Sequence, residues 1–467
     1  MIDLEGASFR YEGAPLPSVI DVDLHVAAGE CVVLCGESGC GKTTITRLAN
    51  ALAGDFYEGE RTGVVRIGGS DLDEMEPWEV AARVGSVFQN PRTQFFNLDT
   101  TGEVAFGMEN LGVPRPEMHE RLARVVDELG IAHLMDRRIF ALSGGQKQAV
   151  AFASVRAFEP DAYVLDEPSS NLDPAAMDEL ARFIAQVKAR GAAVLVAEHR
   201  LAYLADVADR FVLVREGRVE RSWTAAEFAR LDASQRAELG LRAPNPPSLA
   251  DLCARLAAPC SVAPACEARG IVAEYARGAA VLDGCTMGFD AAHVTGIVGE
   301  NGAGKSTLLS ILCGLKRESL GHVRLGGEVT APRRRADRAF LVMQDPDYQL
   351  FRPSVRAELQ CAPRAAGHIE DACVDELLER FGLAAHAERH PGSLSGGQKQ
   401  RVVCAMAALA PATTLLFDEP TSGLDYTSMR RLAEVMRGLA DAGKAVAVVS
   451  HDAEFLAAAC DRIVQLE

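Results

Sequence analysis

The chain has 467 residues, a formal net charge of −17, 48% hydrophobic residues and 24% charged residues. This length predicts roughly two to four domains, and the composition is that of an ordinary globular protein. The acidic balance weighs against nucleic-acid binding, which needs a basic surface, and we interpret the run Arg333-Arg334-Arg335 as a solvated surface turn. Because no apolar run reaches the roughly 18 residues that cross a bilayer, we expect a cytoplasmic protein that reaches a membrane only through partners.

The first chemical motif follows a predicted strand, CVVLCG. The stretch GESGCGKTT, residues 36–44, fits G-x-x-x-x-G-K-[ST] between that strand and a predicted helix, which is the context the motif requires. Its glycines let backbone N–H groups surround a phosphate chain, its lysine reaches the β- and γ-phosphates, and a hydroxyl binds Mg²⁺. The predicted phosphate-binding residues are Gly36, Gly39, Gly41, Lys42, Thr43 and Thr44.

Three later stretches of the first half end predicted buried strands with polar side chains. VFQNP supplies Gln89, VLDEP supplies Asp166 and Glu167, and AVLVAEH supplies His199. We predict that Asp166 holds Mg²⁺ together with Thr43 and Gln89. Glu167 is placed to polarise or deprotonate an attacking water. His199 is predicted to contact the γ-phosphate, and Gln89 to reach the metal and the water.

The stretch LSGGQKQAV lies between these strands and begins a predicted helix. A Ser-Gly-Gly start exposes N–H groups at the positive end of a helix, which makes an anion site. The residues concerned are Ser143, Gly144, Gly145 and Gln146. A second phosphate-binding terminus is explained if a nucleotide lies between two such units.

All of these stretches recur in the second half of the chain. Ser143 and Glu167 lie 24 residues apart, as do Ser395 and Glu419. The next interval, from each glutamate to its histidine, is 32 residues in both halves. The chain is therefore predicted to be two homologous units in tandem. In the second half, the candidate phosphate-binding residues are Gly299, Gly302, Gly304, Lys305, Ser306 and Thr307, and the candidate metal ligands are Ser306, Gln344 and Asp418. The candidate catalytic residues are Gln344, Glu419 and His451, and the second LSGGQ supplies Ser395, Gly396, Gly397 and Gln398.

The two units are predicted to have an α/β fold. Apolar strands alternate with amphipathic helical stretches, which is typical of a parallel sheet covered on both faces. We place the first unit at residues 1–222, a linker at 223–266 and the second unit at 267–467. The linker contains the turn-rich stretch APNPPS between runs of helical character.

The phosphate loop, Gln loop, LSGGQ signature, DEP strand, SNLD and SGLD loops and final histidine together resemble the ATP-binding cassette (ABC) family. The resemblance covers nearly the whole chain outside the linker. It implies two tandem P-loop NTPase domains, each with a parallel-sheet core, an antiparallel β subdomain and a helical signature subdomain. It implies ATP and Mg²⁺ as cofactors, with Tyr11 and Tyr275 resembling the aromatic residue that stacks on adenine. It also implies head-to-tail pairing of the two cassettes, each LSGGQ facing the other's phosphate loop, and hydrolysis at both sites.

A finer resemblance concerns the use of the ATP. The stretch VFQNPRTQFFNLDTTGEVAFGMENLGVP resembles the ATPases of energy-coupling factor transporters, and AEHRLAYLADVADRFVLV is similar to their fused two-cassette members. This implies a peripheral subunit of a vitamin or metal-ion importer, with a membrane coupling subunit seated in grooves beside the Gln loops and a separate substrate-capture membrane subunit. The candidate groove residues, each of which could instead pack in the core, are Phe95, Phe96, Phe106, Tyr348, Leu350 and Phe351, with Glu103, Glu109 and Glu358 as partners for cationic residues.

Two alternative functions share all of the ATP motifs. A tandem-cassette factor acting on ribosomes or nucleic acid usually carries a long charged linker and basic surfaces, whereas this linker is rich in Ala and Pro. The fused ATPase of a sugar or peptide importer differs mainly around the Gln loop.

Ala149 in the first signature stands where the second has Arg401. This difference is either a tolerated substitution within a helix, since alanine is a good helix former, or a source of weaker coupling at one site.

Twelve cysteines occur without a CxxC pair. We interpret them as buried free thiols of a reducing compartment rather than as a zinc site.

Overall fold

The computed structural model describes residues 1–170, 172–274, 280–361 and 369–466. It divides the chain into two compact units, Met1–Asn245 and Pro246–Glu467. The stretch predicted as a linker, 223–266, is shared between them. Phe228 lies in the hydrophobic core of the first unit and Leu252 in that of the second. Both ends of this stretch are therefore packed into a unit.

The first unit combines an antiparallel sheet with a mainly parallel one. Its strands are β1 (Ile2–Tyr11), β2 (Val19–Val26), β3 (Cys31–Cys35), β4 (Gly59–Ile67), β5 (Ser70–Asp71), β6 (Val84–Val87), β7 (Ala162–Asp166), β8 (Ala193–Ala197), β9 (Arg210–Arg215) and β10 (Arg218–Thr224). The antiparallel sheet has the order β2-β1-β4-β5. The other sheet has the order β10-β9-β3-β8-β7-β6, in which β10 alone runs antiparallel to its neighbour.

Helices connect and cover these strands. They are α1 (Lys42–Ala49), α2 (Leu52–Asp55), α3 (Pro77–Arg83), α4 (Thr100–Asn110), α5 (Arg115–Glu128), α6 (Gly144–Ala157), α7 (Pro174–Ala189), α8 (Ala225–Phe228) and α9 (Ala233–Glu238). Helices α4, α5 and α6 enclose a separate small apolar core that includes Val104, Val125 and Val150. This cluster is the helical subdomain that carries the LSGGQ stretch.

The second unit repeats the plan. Its strands are β11 (Cys266–Glu274), β12 (Ala280–Phe289), β13 (Val294–Val298), β14 (Leu320–Leu325), β15 (Glu328–Val329), β16 (Ala339–Val342), β17 (Thr414–Asp418), β18 (Ala445–Val449) and β19 (Arg462–Gln465). Its helices are α10 (Leu249–Arg255), α11 (Lys305–Leu312), α12 (Pro332–Arg335), α13 (Val355–Gln360), α14 (Asp371–Arg380), α15 (Gly396–Leu409), α16 (Tyr426–Asp441) and α17 (Ala453–Ala459). The sheets have the orders β12-β11-β14-β15 and β16-β17-β18-β13-β19.

The parallel strands position the candidate residues. Strands β3, β8, β13, β17 and β18 are buried along their whole length, as expected for apolar strands with helices on both faces. In a parallel sheet the carboxyl ends of the strands share one edge. The phosphate loops follow β3 and β13, and the carboxylate pairs end β7 and β17. The α/β fold and its tandem repetition are thus confirmed.

Two predictions about surface residues are corrected. Arg335 is not a solvated turn residue, because it is only 1% exposed and its guanidinium pairs with Glu318 at 2.5 Å. The cysteines are free, but Cys361 and Cys373 are exposed rather than buried. Among the described residues no group of three or more His, Cys, Asp or Glu side chains is arranged to hold a metal ion.

Within the described ranges, no helix is both long enough and apolar enough to span a membrane.

Candidate nucleotide-binding and hydrolysis sites

The loop between β3 and α1 has the geometry of a phosphate-binding loop. A Cβ on Gly36 would lie 2.3 Å from the carbonyl oxygen of Val214, so no larger residue fits there. Gly41 has a φ of 110° at the N-terminus of α1, a conformation that favours glycine. Gly304 has a φ of 94° at the start of α11 in the second unit. The two loops therefore turn directly into helix N-termini, where phosphate groups bind.

The loop lysines lie across these turns. Nζ of Lys42 donates to the carbonyl oxygens of Gly36 and Glu37, both at 2.9 Å. Nζ of Lys305 donates to those of Gly299 and Glu300 at 2.7 and 2.8 Å. Both side chains are largely buried. Each ammonium group is thus held at the mouth of a loop whose backbone N–H groups and helix dipole already favour anions.

A hydroxyl and a carboxylate meet at the start of each helix. Oγ1 of Thr43 donates to Oδ1 of Asp166 at 3.1 Å. Burial, and then the neighbouring charge of Glu167, raise the pKa of Asp166 to about 7. Burial also raises the pKa of Asp418, whose carboxylate is hydrogen-bonded by Ser306. A raised pKa means that the charged carboxylate lacks full compensation.

These oxygen donors fit Mg²⁺, which prefers hard oxygen ligands and few protein groups. Thr43 and Asp166 would hold the ion in the first unit, and Ser306 and Asp418 in the second. When bound, the ion neutralises charge that develops on the phosphates. Gln89 and Gln344, the other predicted metal contacts, follow β6 and β16 at the same edge and are exposed.

The glutamate that follows each aspartate is held in an unusual backbone conformation. Glu167 has a φ of 44° and Glu419 a φ of 46°, in the left-handed region that non-glycine residues seldom occupy. Their backbone N–H groups donate to the carbonyl oxygens of Ala197 at 2.8 Å and Val449 at 3.0 Å. The neighbouring strand therefore fixes the turn, and such strain is concentrated at functional sites.

Side chains predicted to act together are brought together at this turn. Nε2 of His199 lies 3.3 Å from Oε1 of Glu167, and Nε2 of Gln89 donates to Oε2 of the same carboxylate at 2.6 Å. In the second unit Nε2 of His451 lies 3.5 Å from Oε1 of Glu419. The Gln89 amide is hydrogen-bonded to the carboxylate, whereas each histidine lies slightly beyond the roughly 2.6–3.2 Å of a hydrogen bond.

We propose that Glu167 and Glu419 act as general bases toward the attacking water. Each carboxylate lies beside a candidate Mg²⁺ ligand and has a histidine within contact distance. Gln89 would orient the water, because its amide is already bonded to the carboxylate. The histidines would contact the transferred phosphoryl group, which carries negative charge through the transition state.

Both LSGGQ stretches begin a helix, as predicted. Oγ of Ser143 accepts from the backbone N of Gln146, whose Oε1 accepts from the backbone N of Ser143 at 3.0 Å. Ser395 and Gln398 form the same reciprocal cap. The glutamine side chains are thus engaged in capping. The glycines that follow each serine form the first turn, where N–H groups lack helical partners.

Tyr11 lies beside the first phosphate loop. Its hydroxyl is 3.1 Å from Oγ1 of Thr44 and accepts from Nη1 of Arg47 at 2.8 Å. Arg47 in turn lies 3.7 Å from the ring centroid of Tyr57. Arg47 lies outside the motifs that identify the other site residues, although its place in the first helix after the loop is a usable signal. Tyr275 lies outside the described residues, and adenine stacking by either tyrosine stays a prediction.

Comparison with known proteins agrees with this geometry. The ABC transporter family model matches residues 19–170 and 282–422. A Treponema denticola protein described as an ABC transporter ATP-binding protein is 41% identical, over 100% of this chain and 95% of the relative. The protein YkoD of Bacillus subtilis, described as an HMP/thiamine import ATP-binding protein, is 32% identical over 100% of this chain and 90% of the relative.

One solved structure has the same fold over both units. The archaeal ribosome recycling factor aABCE1, in complex with the ribosomal stalk protein aP1, has a TM-score of 0.64 and 21% identity. The likeness covers 98% of this chain and 87% of the other. With two phosphate loops, two carboxylate turns, two capped signature helices and full-length relatives, the chain belongs to the ABC transporter family and is a tandem-cassette ATPase that binds ATP with Mg²⁺.

Proposed function

We propose that this ATPase is the subunit that energises a membrane importer of the energy-coupling factor type, for a vitamin or a metal ion. The resemblance of the segment after Gln89 to that group supports this function. So does the relative YkoD, whose description names import of HMP and thiamine. The observation that carries the proposal is an exposed apolar groove beside the Gln loop of each cassette.

The first groove, groove one, has a volume of about 830 Å³. Its lining includes Phe56, Trp78, Phe96, Phe106 and Leu111. Phe96 is 76% exposed and stacks on Phe106 with ring centroids 5.0 Å apart. Large exposed apolar groups gathered in one concave surface mark a site for another molecule. An amphipathic helix end of a membrane subunit suits such a groove.

The second groove, groove two, has a volume of about 430 Å³ and occupies the matching place. Tyr348 and Phe351 line it and are 66% and 79% exposed. Arg352 also lines it, whereas Glu103 is the only acidic or basic side chain among the described residues that line groove one. The two cassettes thus offer similar but unequal docking surfaces.

The structure corrects part of the predicted groove. Phe95 and Leu350 pack against the hydrophobic cores instead of facing outward. Glu103 is 2% exposed and accepts from the backbone N of Phe96 and Asn97. Glu358 is equally buried and makes the matching contacts after Leu350. These carboxylates hold the groove loops in place and do not face a partner, while Glu109 is exposed.

Head-to-tail pairing of the cassettes belongs to the same proposal, on the ABC resemblance of the signature motifs. In that arrangement each LSGGQ would complete the phosphate site of the other cassette. Closing and opening of the pair would then be the motion delivered to the membrane subunits. A small substrate-capture protein would select the vitamin or metal ion, and the ATPase would work at the cytoplasmic face of the membrane.

Groove docking is tested by paired substitutions. Phe96→Ser with Phe351→Ser removes the most exposed aromatic group of each groove. Leu16→Ser with Leu320→Ser is the matched control, because these leucines are 73% and 67% exposed and line neither groove. Each variant is coexpressed with membrane proteins encoded beside this gene, and copurification is measured. We expect the membrane proteins to be lost from the Phe96→Ser, Phe351→Ser variant and retained by the control. Retention of the membrane proteins by the Phe96→Ser, Phe351→Ser variant would overturn the proposal that they dock in the grooves.

The same preparation separates the alternatives. ATP turnover is measured with the copurifying membrane proteins and, separately, with ribosomes of the same organism. Stimulation by the membrane proteins supports the importer. Stimulation by ribosomes alone would replace it with a ribosome-acting factor, for which the likeness to aABCE1 shows the fold alone.

A further inference from the structure

A buried carboxylate lies one residue before the candidate catalytic histidine of the first cassette. Glu198 follows strand β8 and is 2% exposed. Its backbone N donates to the carbonyl oxygen of Leu34, at the end of the strand that carries the phosphate loop. Acidic residues are almost never buried to this degree unless their oxygens are paired, so its contacts need an explanation.

Both oxygens of Glu198 accept hydrogen bonds. Oε1 accepts from the backbone N of His199 at 2.7 Å and of Arg200 at 3.0 Å. Oε2 accepts from the hydroxyl of Tyr203 at 3.0 Å and from the backbone N of Ser169 at 3.3 Å. All four partners are donors, as an ionised carboxylate requires. Burial, and then the charge of Glu198, raise the pKa of Tyr203, which keeps its hydroxyl a donor.

These contacts join two segments that hydrolysis uses. Ser169 comes two residues after Glu167, in the segment that leads to the SNLD loop. His199 begins the turn whose imidazole lies 3.3 Å from Glu167. The Glu198 carboxylate therefore accepts from the backbone of the segment that follows the candidate general base and from the backbone of the turn that carries the histidine. Its displacement would move one segment relative to the other.

The second cassette has a different arrangement at the matching positions. Ser450 replaces Glu198, Thr421 replaces Ser169 and Phe455 replaces Tyr203. Oγ of Ser450 lies 3.3 Å from Oγ1 of Thr421 and accepts from the backbone N of Asp452 at 3.1 Å. The carboxylate and the phenol that donates to it are thus replaced together, by a serine and by a side chain without a hydroxyl.

The two arrangements differ in strength. Hydrogen bonds to an ionised acceptor are shorter and roughly twice as strong as those between neutral groups. A fully satisfied buried network also fixes one local conformation, whereas a partly satisfied one is costly. The turn that carries His199 is consequently held by the Glu198 carboxylate. The turn that carries His451 is held by the Ser450 hydroxyl and by Oε2 of Glu419, which accepts from the backbone N of His451 at 3.4 Å.

We propose that Glu198 is a positioning residue for ATP hydrolysis in the first cassette, which orients His199 against Glu167 by tying their two backbone segments together. The second cassette has Ser450 at the matching position, and there the backbone N of His451 donates to Glu419 itself. The two ATP sites therefore depend on different residues for the same alignment, although their motifs match. With Tyr203 in place, hydrolysis at the first site is sensitive to loss of the carboxylate at position 198, whereas hydrolysis at the second site is less sensitive to loss of the hydroxyl at position 450.

The decisive variant is Glu198→Gln, which keeps the shape but turns an amide N–H₂ toward one or more donors. Phosphate release is followed before steady state in excess Mg·ATP, together with ATP affinity and melting temperature. We expect at least one phosphate per chain to be released about tenfold more slowly, with ATP affinity within about twofold of the wild type. Ser450→Ala removes the matching hydroxyl and is expected to slow release by no more than about threefold, because hydrogen bonds between neutral groups are weaker.

A transplant separates positioning from folding. Glu198→Ser with Tyr203→Phe installs the pair that the second cassette uses, so we expect release to recover to within about threefold of the wild type. Unchanged release in a folded Glu198→Gln protein would overturn the proposal. So would a parallel loss of ATP affinity and melting temperature with no recovery in the transplant, since that pattern indicates only a structural role. An equal loss with Ser450→Ala would overturn the difference between the sites.

Discussion

Nη1 of Arg401 donates a hydrogen bond of 3.1 Å to the carbonyl oxygen of Phe381, the residue that ends helix α14. The last carbonyl groups of a helix lack intrahelical partners, so this arginine satisfies one of them. Ala149, at the matching position of the first cassette, is partly buried against the small helical core. The difference between the two signatures therefore concerns the support of a neighbouring helix rather than the phosphate-binding end.

Arg401→Ala is accordingly expected to reduce stability and leave chemistry intact. The free energy of unfolding should fall by about 1.5–3 kcal/mol, the range for a hydrogen bond that involves a charged group. ATP turnover should change little at a temperature where the protein stays folded. Denaturant unfolding and steady-state kinetics check this. Ala149→Arg should leave turnover unchanged. An increase in turnover for Ala149→Arg would show that the alanine weakens one site.

The carboxylates of both cassettes are expected to be active. Glu167→Gln and Glu419→Gln should each lower steady ATP turnover by about half or more, depending on how strongly the sites are coupled. The double variant should lose about 100-fold or more, as expected when a general base is removed. All three variants should still bind ATP, because the phosphate loops are intact. Equilibrium binding measurements check this. Wild-type turnover in Glu167→Gln would contradict two active sites.

Glu103→Ala is expected to loosen groove one from inside. The substitution removes the acceptor for the backbone N of Phe96 and Asn97, at 3.0 and 2.7 Å. Leaving both groups unpaired should lower the free energy of unfolding by about 2 kcal/mol. Chymotrypsin should then cleave near Phe96 faster than in the wild type. Glu109→Ala, on the exposed side of the same helix, is the control, and this variant should be cleaved at the wild-type rate.

The Glu318–Arg335 pair predicts a pH-dependent stability. Burial raises the pKa of Glu318, but the hydrogen bonds from Arg335 and from the backbone, together with the charges of Arg335 and Arg317, outweigh it and the pKa lies below its ordinary value of 4.5. A lowered folded-state pKa gives stability above the unfolded pKa that is lost as the pH falls through the folded one. Glu318→Gln should thus cost about 3 kcal/mol near pH 7, because Arg335 stays buried, and the cost should shrink below about pH 4.

A matched surface pair controls for general charge effects. Glu328 lies 3.3 Å from Arg338, and both side chains are well exposed. Glu328→Gln should change the free energy of unfolding by less than about 1 kcal/mol at any of these pH values. Denaturant unfolding of both variants between pH 3 and pH 7, in steps of about one unit, provides the measurement. A Glu318→Gln cost that is independent of pH would contradict the ionised pair.

The residues that sequence could place are those fixed by local pattern. A buried strand that ends in a polar residue puts that residue at one edge of a parallel sheet, so Asp166 and Thr43 were predictable neighbours. The serine cap of the LSGGQ helices follows from three adjacent residue types. The place of each of these residues is set within its own strand–loop–helix segment, and the repeat supplies a second copy of each pattern.

What could not be predicted depends on which distant groups fold opposite each other. Glu103 is a plausible partner residue by sequence, yet its oxygens meet backbone N–H groups that only the folded loop brings there. Arg335 stands in a run of three arginines, but Glu318 faces it from a loop 17 residues away. The difference between Glu198 and Ser450 is visible in the sequence. The four donors around Glu198, however, come from two segments, residues 199–203 and Ser169, that only the fold brings together.

The left-handed turns at Glu167 and Glu419 have a consequence for how this fold can be stabilised. A non-glycine residue in that region costs about 1–2 kcal/mol, and glycine adopts the conformation at little cost. Glycine at either position would thus relieve strain and at the same time remove the carboxylate that the turn presents. Selection for thermal stability alone would therefore favour glycine at both positions. The two glutamates are retained only if selection also acts on activity.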